Sequence, residues 1–159
     1  MKKKLSVYIE SSVVSYCANN ISSDLKIAAE QKITQDWWIQ IKPQFDVFIS
    51  DYVLQEISMG RKSESAARLK LVHDIPVLPE EKAIYGLAGE YIKRLALPKG
   101  GEIDAFHLAT AAIHEVDFLI SWNCKHIANA LKYRKIREIN QMLGFFVPVI
   151  CTPRELMEA

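Results

Sequence analysis

Short β-branched runs alternate with helical repeats along this chain, and that rhythm leaves few folds open. Leu5 to Ile9 (LSVYI) predicts a buried strand. Ser11 or Ser12 caps a short helix that runs through Cys17. Ser22-Ser23-Asp24 starts a longer one, in which Ala29, Ile33, Trp37 and Ile41 repeat at i+4 until Pro43. Phe45, Val47 and Ile49 alternate as in a second strand, and Ser50 caps a helix carrying Val53, Leu54 and Ile57 that stops at Gly60. Ser63 to His73 reads as helical, and Ile75 to Leu78 as a short strand that Pro76 makes edge-like. From Glu80, one apolar stripe runs to Leu95 before Pro98-Lys99-Gly100-Gly101 breaks it. A helix over Glu102 to Glu115, a strand over Phe118 to Ser121, a helix over Ala128 to Leu143 and a strand over Phe146 to Ile150 follow. Thr152-Pro153-Arg154-Glu155 then combines a capping box with a proline at the first helical position. Such alternation predicts an α/β three-layer sandwich, a mostly parallel twisted sheet flanked by helices.

The chain has 159 residues, 50% hydrophobic and 25% charged, and neither an internal repeat nor a linker interrupts it. A single domain over residues 1–159 is expected, since a chain this long buries roughly 70% of its unfolded surface. A net charge of +1 excludes a non-specific polyanion coat. Cys17, Cys124 and Cys151 form no C-x-x-C, so they read as reduced thiols of a cytoplasmic protein. The apolar stretch after Lys2-Lys3-Lys4 ends at Glu10, too soon for a signal peptide, and no run approaches a membrane span.

In parallel sheets, ligands bind beyond the carboxyl ends of the strands. Glu10 directly follows the first strand, with Ser11 and Ser12 beside it. Glu56 lies one and a half turns into the helix after the second strand. Asp104 is in the first turn after the Gly-Gly break, and Asn123 follows the strand Phe118 to Ser121. Four distant segments thus each offer an oxygen, the ligand that Mg²⁺ and Mn²⁺ prefer. Each also has an ordinary reading: Asp104 as a helix-dipole partner, Glu56 as a solvated residue, Asn123 as a turn residue. Glu10 is the hardest to dismiss, because a carboxylate at the end of an apolar strand needs a partner or a metal.

These residues resemble a known pattern. Val7-Tyr8-Ile9-Glu10-Ser11-Ser12-Val13-Val14-Ser15-Tyr16, Val53-Leu54-Gln55-Glu56-Ile57, Glu102-Ile103-Asp104-Ala105-Phe106-His107-Leu108-Ala109-Thr110-Ala111 and Phe118-Leu119-Ile120-Ser121-Trp122-Asn123 occur in the order found in PIN-domain proteins. The similarity is to the VapC-type toxins of toxin–antitoxin pairs and spans about Leu5 to Ile150. It implies a parallel sheet, a Mg²⁺ or Mn²⁺ site and endoribonuclease activity. Carried over, Glu10, Glu56, Asp104 and Asn123 are the catalytic set, with Glu10, Asp104 and Asn123 as metal ligands. Ser12 and Ser121 are their polar support. Two positions depart: Glu10 stands where the family normally has Asp, and Asn123 where many members have Asp. The family also implies a homodimer and a small antitoxin protein as partner.

Between Asp117 and Glu138 there is no acid, yet Lys125, His126, Lys132, Arg134, Lys135 and Arg137 occur, with Trp122 and Tyr133 in or beside the run. This suits an RNA backbone with stacked bases, or simply the outer face of an amphipathic helix. His107 shares a helix face with Asp104 and reads as a hydrogen-bonding core residue rather than a ligand. Two other functions stay open on the same residues: a catalytically weak RNA- or protein-binding module, and, more distantly, a phosphotransfer domain.

Overall fold

A computed structural model of the chain describes residues 2–157. Four strands and seven helices alternate among them: β1 (Ser6–Ile9), α1 (Ser11–Ala18), α2 (Leu25–Asp36), β2 (Asp46–Phe48), α3 (Asp51–Ile57), α4 (Lys62–Val72), α5 (Lys82–Leu95), α6 (Glu102–Ile113), β3 (Phe118–Ile120), α7 (Ala130–Leu143) and β4 (Val149–Cys151). All strand pairs are parallel, in the order β2-β1-β3-β4. The α/β architecture expected from the sequence is the one observed, with the sheet wholly parallel.

β1 is buried on both faces, which is why it reads as a continuous apolar run. Val7, Tyr8 and Ile9 are fully enclosed. Its register pairs Val7 with Val47 on one side and with Phe118 on the other. From β1 the chain moves outward to β2, then crosses back to β3 on the other side. The strand order therefore reverses at β1, and the crevice of such a sheet opens at the carboxyl ends of β1 and β3. Glu10 and Ser121 are the residues that leave those two ends.

Side-chain caps mark where several helices begin, and a glycine marks where one stops. Asp24 accepts from the amides of Lys26 and Ile27, and Asn129 from those of Leu131 and Lys132. Gly144 ends α7 with φ at 77°, a left-handed cap that costs glycine nothing.

Several local expectations are corrected. The last strand is Val149–Cys151, not Phe146–Ile150. The intervening residues are tied to the end of α7 instead: Asn140 Nδ2 donates to the Phe146 carbonyl at 2.7 Å, and Pro148 has no amide to give a ladder. Ile75 to Leu78 is no strand but a single parallel bridge from Val77 to Ile49. Pro76 contributes only its carbonyl, which accepts from the Ile49 amide at 3.0 Å. The apolar i+4 repeat holds only in its second half, beyond α2, where Trp37 is fully enclosed and Ile41 packs against the core. Ala29 is exposed, and Gln31 and Thr34 are buried in its place. Gln31 is satisfied in the interior through bonds to the Asn20 carbonyl and the Ser22 amide. Beyond Asp36 the helix widens into a π-turn over Trp37–Ile41, then tightens over Lys42–Gln44. The capping box at Thr152 and Glu155 forms, but it opens a 3₁₀ turn over Pro153–Leu156.

Candidate metal centre

Glu10, Glu56, Asp104 and Asn123, scattered over four segments, line one open cleft of about 430 Å³ at the switch point, together with Ser11, Ser12, Ser15, Tyr16 and Trp122.

Glu10 is the N-cap of α1 and is only 4% exposed. Its Oε2 accepts from the Ser12 amide at 3.1 Å, from the Ser12 hydroxyl, and from the Ser121 hydroxyl at 2.8 Å. Ser12 and Ser121 thus touch Glu10 as polar neighbours. Ser12 Oγ also accepts from the Trp122 amide at 2.8 Å, which ties the loop after β3 to the start of α1. No protein group reaches Glu10 Oε1 among the described residues.

Glu56 lies on α3, whose N-cap Ser50 accepts from the Val53 amide at 3.4 Å. Glu56 Oε1 accepts from the Ser11 hydroxyl at 2.6 Å and bonds His107 Nε2 at 2.5 Å. Burial alone would raise this carboxyl. The hydrogen bonds from His107 and the Ser11 hydroxyl outweigh it and hold Glu56 below the ordinary range. His107 itself is fully buried, and its Nδ1 meets the Tyr8 hydroxyl at 2.6 Å. Sequence reasoning placed His107 in a core hydrogen bond and missed that the bond leads to Glu56. Tyr8 was missed altogether, since its only signal was an aromatic residue in a strand.

Asp104 contrasts with both. It is 7% exposed, yet its only hydrogen-bond partner among the described residues is the Asn123 amide, 3.4 and 3.5 Å away. Burial pushes its carboxyl up to about 6, with His107 opposing and the Glu10 and Glu56 charges adding to the rise. The lysine and arginine ion pairs, Lys32–Asp36, Arg94–Glu90 and Arg134–Glu138, lie elsewhere. Asn123 turns its nitrogen to Asp104 because its oxygen accepts from the His126 amide at 3.1 Å. That backbone donor fixes the orientation, so Asn123 offers a cation its oxygen only by releasing His126.

The donor set suits a hard cation. It comprises three carboxylates, two with one pinned and one free oxygen, and a third that is buried and nearly unpartnered. Glu10, Glu56 and His107 also bring ligand-capable atoms within 4.8 Å of one another. Both His107 nitrogens, however, are already engaged.

An aromatic wall closes one side. Tyr16 stacks on Trp122 with centroids 6.0 Å apart, and the indole N–H is fixed to Thr34 Oγ1 at 2.7 Å. Trp122 was expected near the site, whereas Tyr16 joins it through the helical turn after Ser12. The basic run does not line the cleft. Lys125 and Lys132 crowd His126: burial first, then these two charges, holds its imidazole below the ordinary value. Lys132 and Lys135 flank the groove at Leu95 and Leu131, and Arg134 bonds Glu138 at 3.2 Å. Arg137 is exposed.

The fold and the site define a class: a parallel α/β sheet with an acidic crevice at its switch point. Within that class the assignment is specific: a PIN domain model matches residues 7–123, and the chain belongs to the PIN domain family. The match runs from Val7, inside β1, through Asn123. A chain in the crystal structure of VapBC2 from Rickettsia felis, bound to a DNA fragment from its promoter, shares the fold. Its TM-score is 0.54 at 11% identity, over 93% of this chain and 98% of that one. No curated protein matches the sequence. No helix among the described residues is long and apolar enough to cross a membrane.

Proposed function

We propose that this chain is a Mg²⁺- or Mn²⁺-dependent endoribonuclease, the toxin of a toxin–antitoxin pair, acting in the cytoplasm as one domain over residues 1–159. The observation that carries the reading is the convergence of Glu10, Glu56 and Asp104 on one cleft in which Asp104 is buried with no lysine or arginine partner among the described residues. A bound divalent ion would supply acidified water and stabilise charge developing on the phosphate.

The chain's own residues divide the remaining work. Glu10 and Asp104 would hold the ion. Glu56, kept ionised by His107 and Ser11, receives the proton of the attacking water. Asn123 steadies Asp104 through its amide nitrogen and becomes a ligand itself if its side chain turns. Ser12 and Ser121 keep Glu10 in place. The Tyr16–Trp122 wall offers its face to an unpaired base beside the cut. Lys125, His126, Lys132, Arg134, Lys135 and Arg137 draw in the flanking backbone from outside the cleft. A homodimer and a small antitoxin protein complete the picture, supported by the VapBC2 likeness and by exposed apolar residues such as Leu25 and Ile39.

Cleavage of a mixed RNA pool with Mn²⁺, with Mg²⁺ and with chelator tests the reading, using Asp104→Asn purified alongside. Cutting that needs metal and disappears in Asp104→Asn is expected. Equal behaviour of the two proteins moves the chain to a binding module that recognises RNA or a protein without cleaving it.

A further inference from the structure

A line of hydrogen bonds runs beneath the cleft and ends on Glu56. Ser50 Oγ lies 2.6 Å from the Tyr8 hydroxyl, which lies 2.6 Å from His107 Nδ1. Nε2 of the same ring lies 2.5 Å from Glu56 Oε1. Tyr8 and His107 are both fully buried, so no water competes for these bonds. The imidazole is also clamped edge-on by two phenol rings, Tyr8 at 5.7 Å and Tyr52 at 6.4 Å between centroids.

With a neutral His107 ring, the donors and acceptors along this line are satisfied in one sense only. A carboxylate oxygen only accepts, so the hydrogen must sit on His107 Nε2. Nδ1 is then free to accept, and Tyr8 supplies its hydroxyl hydrogen. The Tyr8 oxygen in turn accepts from Ser50, whose own oxygen takes the Val53 amide. Every hydrogen in the chain points toward Glu56, where the Ser11 hydroxyl arrives from the other side.

We propose that Tyr8 and His107 are a positioning pair that dictates which Glu56 oxygen faces the cleft. Two donors saturate Oε1, so Oε2 alone is presented to a cation or to its bound water. The pair touches neither substrate nor metal. It acts through Glu56, and the inference rests on the reading of Glu56 as part of the metal centre. A histidine oriented by a second residue is a familiar way to steer a ligand, and losing such a partner typically weakens metal affinity or activity about 10–100-fold.

The test combines a spectroscopic readout of the metal-free protein with metal binding and kinetics. Long-range proton–nitrogen spectra of histidine-labelled protein report the tautomer, with the His107 signal identified by its absence in His107→Gln. The Nε2–H form is expected in the wild type, and a mixture of tautomers in Tyr8→Phe, which keeps the ring but removes the donor. A hydrogen on Nδ1 in the wild type overturns the proposal whether or not the protein cuts RNA.

Mn²⁺ affinity, read from the free-ion resonance, should fall about 10–100-fold in His107→Leu and about fivefold in Tyr8→Phe. The rate constant kcat should fall with it while KM for RNA stays put. His107→Gln, whose amide can still donate to Glu56, should recover part of the loss. Tyr8→Phe keeps the test open if His107→Leu does not fold. Wild-type binding and cleavage matched by both variants overturn the positioning role and leave the nuclease standing. A wild type that neither binds Mn²⁺ nor cuts overturns the nuclease, and the tautomer spectrum then decides the pair by itself.

Discussion

Glu10 and Glu56 enter the cleft with one oxygen each held by short bonds, from Ser12 and Ser121 in one case and from Ser11 and His107 in the other. Asp104, on α6, has among the described residues only the long bonds from Asn123. The three carboxylates line the same cleft, yet two are prepared in advance and one is left in want of a charge. Pinned carboxylates gain rigidity from the fold. The unpinned one costs the fold stability, because burying an unpaired carboxyl is unfavourable. Such a cost is commonly stored at functional sites, and the difference singles out Asp104 as the group that an incoming cation relieves most.

Removing Asp104 should produce the largest effect, and in two directions. Asp104→Asn is expected to lower the RNA cleavage rate at least about a hundredfold, the upper end of what losing a mere supporting partner does. The same change should raise the melting temperature of the metal-free protein at neutral pH, since Asn needs no counter-charge. A variant that loses activity and stability together would show instead that Asp104 is a structural residue. Calorimetry and the RNA assay on one preparation separate these outcomes.

The pH dependence sharpens the same contrast. Asp104 is raised from 3.8 to about 6 on folding, so the folded state holds this proton more tightly than the unfolded chain does. Its contribution to stability is complete below about pH 3.8 and is lost as the pH climbs through about 6, amounting to about 3 kcal/mol at most. Glu56 works in the opposite sense. Its folded value lies below the ordinary 4.5, so its contribution is present above that pH and is lost as the pH falls through the folded value. Denaturant melts from pH 4 to 7 with chelator should reveal the Asp104 loss. Mn²⁺ should restore much of it at pH 7, and Asp104→Asn should abolish the step.

Whatever a residue declares through its neighbours in sequence was legible before the structure. β1, the helix start at Ser22-Ser23-Asp24, the stop at Gly144, and the acidic residues Glu10 after a strand and Asp104 in a first helical turn all rest on local patterns. What was not legible depends on partners far along the chain. Tyr8 meets His107 across 99 positions, and His107 meets Glu56 across 51. Nothing in the spacing of Tyr8 distinguishes it from an ordinary core aromatic. The buried face of α2 was misread for a related reason: Gln31 and Thr34 are buried because Asn20, Ser22 and Trp122 give them partners, which a count of apolar residues cannot register. Pro148 and Pro76 were visible, but not how far they would shorten the strands around them.

Glu10→Asp tests how tightly the pinned half is built. Aspartate still caps α1 and still accepts from the Ser12 amide. It is a methylene too short to keep that bond together with the Ser121 hydroxyl, which lies 2.8 Å from the present oxygen. Mn²⁺ affinity should drop about tenfold, in line with a displacement of an ångström in a preorganised site. The melting temperature should barely move. An unchanged or tighter affinity would mean that Ser121 holds the loop after β3 rather than Glu10.

The smallest effects belong to the basic residues outside the cleft, and they are not all equal. Lys132 and Lys135 flank one groove, and neither takes part in an ion pair among the described residues. Arg134 already bonds Glu138 at 3.2 Å, with both side chains largely in water. If the run attracts RNA through its charge, replacing Lys132 and Lys135 together by alanine should raise KM two- to fivefold, roughly 0.5–1 kcal/mol. It should also flatten the dependence of log KM on log salt by about 0.7 for each phosphate no longer neutralised. Arg134→Ala should do less, because its removal also frees a glutamate that repels the same backbone. The catalytic rate constant should stay fixed in all of them, since none of these residues lines the acidic cleft. A fall in kcat without a change in salt slope would overturn that division, and would place the start of α7 against the reacting phosphate.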